Sequence, residues 1–291
     1  MSFKKTEDFW KELFEDMKEN NLSQVDAGLK YGVTNAAVSY QIKKRNISYQ
    51  PKMNRIHSFR EDYFEKIDSE RKAYWLGFIL ADGSVSRATK WGQPNRLKFN
   101  LQARDKELLE AFKLDIKANS VPIKTYLPNE KTFGRNEMVS FSLNSVKLCS
   151  DLAKYSVVKN KVKTCTIPEL EDPSLYRHLV RGFFDGDGSI HTLSKKYRLN
   201  KKPRAVISFT KNEKILNRLL IILKENIPST SNKVKVNNAG KRMDGTKKDS
   251  FVLSFSSYEF IKSFYYFIYT DSTIYLERKK LKYDSVIFTT E

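Results

Sequence analysis

Two stretches of this chain, Tyr74–Gly83 (YWLGFILADG) and Leu179–Gly188 (LVRGFFDGDG), constrain its fold more than any other feature. Each is an apolar run with an embedded glycine that ends in an acidic residue and a second glycine, and Asp82 and Asp187 stand 105 positions apart. Glycine inside a helix costs ~1 kcal/mol relative to alanine, so its use twice at the same place needs a reason. Gly77 and Ala81, like Gly182 and Gly186, are four residues apart and share one helix face, where small side chains let two backbones approach closely. Trp75, Phe78, Ile79, Val180, Phe183 and Phe184 are large and apolar, so both helices are expected to be buried. The spacing predicts that the two helices pack against each other along Gly77, Ala81, Gly182 and Gly186, on a pseudo-twofold axis, and bring Asp82 and Asp187 together at their C-terminal ends.

The surroundings of the two stretches repeat as well. RLKFNLQARDKELLEAF, from Arg96, is a period-two strand followed by a helix, and RAVISFTKNEKILNRLLIIL, from Arg204, is the same again. Two further strands are expected in each half, VPIKTYL and EMVSFSLNS, then NKVKVNN and SFVLSFSS, and a helix closes each, SVKLCSDLAKY and SYEFIKSFYYFI. Asp68 and Ser69 can cap the first motif helix, and Asp172 with Pro173 can open the second. A duplication at about 105 residues is too long for a solenoid and predicts two pseudo-symmetric α+β domains facing one another. The expected organisation is an all-α module over 1–50, a linker over 51–67, one repeat over 68–168 and the other over 169–291.

In the first fifty residues, Phe9, Trp10, Leu13, Phe14 and Met17 recur at helical spacing. Ser23 can cap a short second helix, Gly32 fits a turn, and Thr34 or Asn35 can cap a third. This is a helix-turn-helix pattern, in which the last helix, about Asn35 to Arg45, would enter the major groove. Asn35, Ser39 and Gln41 are the candidate base readers, and Lys43, Lys44 and Arg45 the candidate phosphate contacts. A plain helical bundle with a basic edge is the alternative.

A formal net charge of +19 and a pI near 9.6 call for a polyanionic partner, with nucleic acid first. The excess is uneven, because residues 190–249 hold 16 Lys/Arg against 4 Asp/Glu. MSFKKTEDFW has no hydrophobic signal region and no apolar run nears membrane length, so a soluble intracellular protein is expected, in a bacterium, a phage-infected cell or an organelle. Cys149 and Cys165 lack metal-ligand spacing, and with three histidines in the chain a zinc site is not expected.

Two carboxylates converging at the negative ends of two helices repel each other, and a divalent cation with oxygen ligands resolves the conflict. In a strongly basic protein this combination implies phosphodiester hydrolysis. DGDGSI is not an EF-hand loop: with Gly188 as the turn glycine, Phe183 falls at the first ligand position and Ser194 at the last. A single Asp-Gly is more often a helix exit, but the matched second copy argues for chemistry. A core helix pair whose aspartates have lost their chemistry stays as the other reading.

These residues resemble the LAGLIDADG homing endonucleases, specifically single-chain members with two repeats, over roughly residues 63–291. The motif maps onto WLGFILADG (Trp75–Gly83) and VRGFFDGDG (Val180–Gly188). The resemblance implies an αββαββα repeat used twice, with two four-stranded sheets forming a saddle over double-stranded DNA. It places the catalytic, metal-binding acids on Asp82 and Asp187, and further metal-binding carbonyls on Ala81 and Gly186. Leu80 stands where many relatives carry an additional acid, and Asp185 retains one. A basic residue near each metal site is implied as well: Lys163, with Lys161 second, in YSVVKNKVKTCTIP, and Lys279, ahead of Lys280, in YLERKKLKYD. The implied cofactor is Mg²⁺ or Mn²⁺, the products carry short 3′ overhangs, the protein is a monomer, and the target is a long asymmetric site. Such enzymes often spread their own reading frame by intron homing.

The strand patterns fit a DNA-facing sheet. Leu97, Phe99, Leu101 and Ala103 alternate with Arg96, Lys98, Asn100, Gln102 and Arg104, giving one apolar face and one basic, amide-rich face that can contact bases and phosphates. Ser84, Ser86 and Lys90 share that facing after the first motif, as do Ser189, His191 and Lys195 after the second, with Arg204, Ser208 and Thr210 on the following strand. An ordinary solvated sheet face is the bland alternative. The alternatives at the level of function are a non-cleaving transcription regulator and an RNA splicing maturase on the same scaffold. No intein splice-junction pattern is present, so a free-standing protein is expected.

Overall fold

A computed structural model describes residues 5–20, 22–48, 57–87, 95–127, 136–158, 165–192, 205–240 and 250–288. The chain divides into two compact units, Met1–Ile56 and His57–Glu291. No helix among the described residues is long and apolar enough to cross a membrane.

The first unit holds helices α1 (Glu7–Glu19), α2 (Gln24–Tyr31) and α3 (Asn35–Lys44). Thr6, Ser23 and Thr34 cap them, each side-chain oxygen accepting from the amide three residues on. Gly32 ends α2 in the left-handed conformation, at φ 63°. Trp10, Leu13, Phe14, Met17, Ala27 and Val38 form a small core of their own.

The second unit starts earlier than composition suggests. Residues 57–67 were expected as linker, yet Tyr63, Phe64 and Ile67 are buried in the core, and Arg60 N donates to the Ile116 carbonyl at 2.7 Å. Three apolar anchors were hidden among polar neighbours. The first half then runs α4 (Glu70–Ala81), β1 (Ser84–Ser86), β2 (Arg96–Gln102), α5 (Lys106–Asp115), β3 (Lys124–Tyr126), β4 (Met138–Asn144) and α6 (Val146–Lys154). The second runs α7 (Tyr176–Asp187), β5 (Gly188–Thr192), β6 (Ala205–Lys211), α8 (Glu213–Asn226), β7 (Asn237–Asn238), β8 (Phe251–Phe255) and α9 (Tyr258–Tyr269). A further helix, α10 (Glu277–Phe288), carries the basic segment around Lys279.

Each half builds a four-stranded antiparallel sheet, ordered β1-β2-β4-β3 and β5-β6-β8-β7. Phe78 of α4 stacks on Phe99 of β2 with ring centroids 6.0 Å apart, and Phe183 of α7 stacks on Phe209 of β6 at 5.9 Å. The motif helices thus cover the apolar faces of the sheets and leave the opposite faces outward.

Two local expectations change. Pro173 opens a single 3-10 turn (Pro173–Leu175), in which Asp172 accepts from Ser174 N, and the α-helix proper begins at Tyr176. The alternation of β2 stops at Gln102, because Ala103–Asp105 turns into a 3-10 helix whose Ala103 N donates to the Glu137 carbonyl and whose Asp105 is held bidentately by Arg278 at 2.7 and 2.8 Å. Ala103 and Arg104 therefore leave the strand. Arg104 lines an open pocket of about 580 Å³ beside Arg71, Asp105 and Arg278 instead of joining the polar sheet face.

Candidate active site

Helices α4 and α7 meet without intervening side chains. A Cβ on Gly77 would stand 1.9 Å from the Leu179 carbonyl oxygen, and one on Gly182 would stand 1.9 Å from the Tyr74 carbonyl oxygen. One turn further on, a Cβ on Gly186 would lie 2.2 Å from the Ala81 Cβ. Gly77, Ala81, Gly182 and Gly186 thus line the contact, and the backbones approach as closely as they do because these positions are small.

This crossing interleaves the C-terminal ends of the helices. Asp82, exposed, is the C-cap of α4, and Asp187 is the last residue of α7. The position of a Gly186 Cβ would be 3.5 Å from Asp82 Oδ2, so the acid of the first motif lies beside the small residue of the second. The reciprocal relation is made by a third residue: Lys211 Nζ is 2.6 Å from Asp187 Oδ2 and donates to the Ala81 carbonyl at 3.1 Å. Asp187 Oδ2 is shielded from solvent and receives no well-directed hydrogen bond among the described residues, so charge holds the ammonium to it. The donors gathered here, carboxylate and carbonyl oxygens with a cation already among them, suit a hard cation. Among the described residues no three His, Cys, Asp or Glu side chains cluster as a ready-made metal site.

Beneath α7, Lys279 is buried, with its ammonium donating to the carbonyls of Phe184 (2.7 Å), Gly186 (3.3 Å) and Gly188 (2.5 Å). It satisfies the open carbonyls of the helix terminus with a cation, which also suits the helix dipole. Burial lowers its pKa to about 8, against the pull of Asp185. Of the two lysines expected near the second motif, Lys279 is thus the one whose ammonium sits against the motif's helix end. Lys280 points elsewhere, pairing with Asp284 and lying over the rings of Tyr269 and Tyr275.

Asp185 is buried, accepting from Tyr74 OH (2.9 Å) and Leu276 N (2.7 Å) on one oxygen, while Oδ1 has no partner among the described residues. Burial raises its pKa to about 6, although Lys279, Leu276 and Tyr74 pull the other way. Arg181 is fully buried and donates to Ile274 O (2.8 Å), Ile268 O (2.7 Å) and Glu70 Oε1 (2.6 Å). Glu70 also accepts from Thr273 N at 2.7 Å, so the start of α4 is tied to the second half.

The outward faces of the sheets carry most of the expected polar residues. Ser84 pairs with Lys98 and Ser86 with Arg96 across β1 and β2, while Lys98, Asn100 and Gln102 oppose Ser142, Ser140 and Met138 of β4. Arg96 donates to Asn144 Oδ1 at 3.1 Å, and Tyr126 to Asn100 Oδ1 at 3.4 Å. In the second sheet Ser189 opposes Ser208 and shares a 2.7 Å hydroxyl bond with it, while His191 and Thr210 are exposed. Ser140, Ser142 and Asn144, with Lys124 of β3 opposite Ser140, join the first face and were not singled out from the sequence; the period-two pattern of β4 was the signal for the first three. Lys90, Lys161, Lys163, Lys195 and Arg204 lie outside the described residues. In the first unit Asn35, Lys43 and Lys44 are exposed and Ser39 half-buried, whereas Gln41 and Arg45 bond to each other and Arg45 also reaches Glu7 at 2.6 Å.

No family model matches the chain, and no curated protein matches it. Solved structures do. The homing endonuclease I-WcaI bound to its DNA recognition sequence is 14% identical, matching 82% of this chain and 97% of that one with a TM-score of 0.52. The LAGLIDADG homing endonuclease I-GzeII in complex with its DNA target is 14% identical, matching 74% and 88% with a TM-score of 0.50. The paired motif helices over two four-stranded antiparallel sheets, together with these likenesses, show that the chain has the fold of the LAGLIDADG homing endonucleases.

Proposed function

We propose that the protein is a site-specific double-stranded DNA endonuclease that hydrolyses phosphodiester bonds with a divalent metal at Asp82 and Asp187. The observation that carries this reading is the reciprocal placement of each motif's acid at the end of the opposite helix: Asp82 beside Gly186, and Asp187 linked through Lys211 to the Ala81 carbonyl. Asp82 with Gly186, and Asp187 with Ala81, would then supply carboxylate and carbonyl oxygens for metal, while DNA phosphates fill the remaining positions. Mg²⁺ or Mn²⁺ held there supplies the charge that activates water and stabilises the leaving oxygen. Lys279 acts as a positioning residue in this reading, fixing the carbonyls of the second motif from behind, and Lys163 is the proposed basic residue of the first.

Ser84, Ser86, Arg96, Lys98, Asn100 and Gln102 on one sheet, and Ser189, His191, Ser208 and Thr210 on the other, would face the major groove of a long asymmetric site. Helices α2 and α3 would serve as a helix-turn-helix that lengthens the footprint, with Asn35, Ser39, Lys43 and Lys44 toward DNA. The single chain supplies both halves, so a monomer suffices, and intron homing by a mobile element is the fitting biological setting.

The test incubates the purified protein with a randomised DNA library, with and without Mg²⁺, and sequences the cleaved ends. Metal-dependent double-strand breaks that disappear in Asp82→Asn plus Asp187→Asn support the reading. Absence of such breaks, or undiminished cutting by the double variant, overturns it. Sequence-specific DNA binding without cutting would point to a transcription regulator, and selective intron RNA binding to a splicing maturase.

A further inference from the structure

Lys211 is the last residue of β6, opposite Phe251, and it shares the strand side of Ile207 and Phe209. That is the side turned to the core; Ser208 and Thr210 alternate with it toward the outer face. A lysine at such a position must find partners for its ammonium. It finds one from each motif, the Ala81 carbonyl and the Asp187 carboxylate, at the point where the helix ends converge.

The equivalent strand position of the first half carries no cation. Lys211 lies three residues beyond Ser208, the partner of Ser189 just after the second motif; three residues beyond Lys98, the partner of Ser84 after the first, is Leu101, buried and apolar. The two halves therefore differ at this position.

We propose that Lys211 is a built-in counter-cation that occupies the Ala81–Asp187 position in the metal-free protein and competes with the divalent ion for it. The inference rests on the metal-dependent reading above. An ammonium 2.6 Å from Asp187 Oδ2 takes the oxygen that a divalent ion would need at roughly 2.1 Å, and two cations sharing these donors would repel strongly. The lysine has a flexible four-carbon stem and its side chain keeps 14% exposure, so the head can turn toward solvent when metal enters. The metal then binds only to the fraction of molecules in which Lys211 is displaced, which weakens its apparent affinity by that fraction. The same contact neutralises Asp187 while no metal is bound.

The full-length protein, without DNA, is titrated with Mn²⁺ and the free ion followed by electron paramagnetic resonance. Lys211→Met keeps the aliphatic stem and should bind Mn²⁺ about tenfold more tightly than wild type. In EDTA it should melt at a lower temperature than wild type and recover that loss on adding Mn²⁺, because Asp187 has lost the Lys211 ammonium. Lys211→Arg, which keeps the cation, should titrate like wild type. Equal or weaker Mn²⁺ binding by folded Lys211→Met overturns the proposal; if that variant does not fold, Lys211→Gln takes the same measurement. Wild-type Mn²⁺ binding that survives Asp82→Asn plus Asp187→Asn overturns the metal reading as well as this inference, which separates the two failures.

Discussion

Gly77 lies so close to the Leu179 carbonyl that a Cβ there would stand 1.9 Å from its oxygen, and Gly182 stands in the same relation to Tyr74. Both clashes are with backbone, which cannot rotate away. In an exposed helix, Gly→Ala stabilises by ~1 kcal/mol. At Gly77 or Gly182 the sign should reverse, with destabilisation on the order of 3 kcal/mol, because the helices must separate. Urea denaturation of Gly77→Ala and Gly182→Ala measures this, and a gain in stability would mean that the helices do not cross there.

Arg181 should be the least replaceable buried cation. Arg181→Met leaves the carbonyls of Ile268 and Ile274 without their donor and Glu70 without its guanidinium partner. Breaking such a pair from one side costs about 3–5 kcal/mol. A loss below about 1 kcal/mol in the denaturation midpoint would show that the network is not formed in solution.

His178 makes stability depend on pH. Burial and the adjacent Arg181 guanidinium lower its pKa from 6.5 to about 4, and its Nδ1 faces Arg181 Nη1 at 2.9 Å, a contact in which the neutral ring accepts. The folded state therefore binds fewer protons than the unfolded state in this window. The contribution is fully present above pH 6.5 and is lost as pH falls through about 4. Relative to His178→Gln, the wild type should lose on the order of 3 kcal/mol between those limits, read from unfolding curves at a series of pH values. Parallel curves for the two proteins would contradict the burial of the ring.

Arg96 and Lys98 lie on the outward face of the first sheet. If they meet phosphates, replacing both with alanine should reduce the slope of log affinity against log salt by about 2. Filter binding between low and moderate salt measures it. An unchanged slope would assign the pair to the solvated face of an ordinary sheet.

Much of this architecture could be read from the chain. The alternation in Arg96–Gln102 foreshadowed the faces of β2, and the four-residue spacing of Gly77 with Ala81 and Gly182 with Gly186 foreshadowed which residues line the helix contact. Where β2 ends could not be read, because that depends on Arg278, 173 residues away, taking hold of Asp105. The extent of the second unit was obscured for a similar reason: Tyr63, Phe64 and Ile67 sit in a short stretch flanked by polar residues and join the core only in three dimensions.

Local pattern alone determined the doubled α+β plan, because helix and strand periodicities and small-residue spacing are properties of neighbours along the chain. The pairing of charges was decided by tertiary structure. Lys211 meets the Ala81 carbonyl across 130 residues of sequence, and Lys279 reaches the end of α7 from α10. Electrostatic energy depends on separation in space and on burial, and neither is carried by sequence distance. In a chain with 53 lysines and arginines, the family resemblance pointed to Lys279, but only the folded arrangement singles out Lys211 as the cation between the two motif ends.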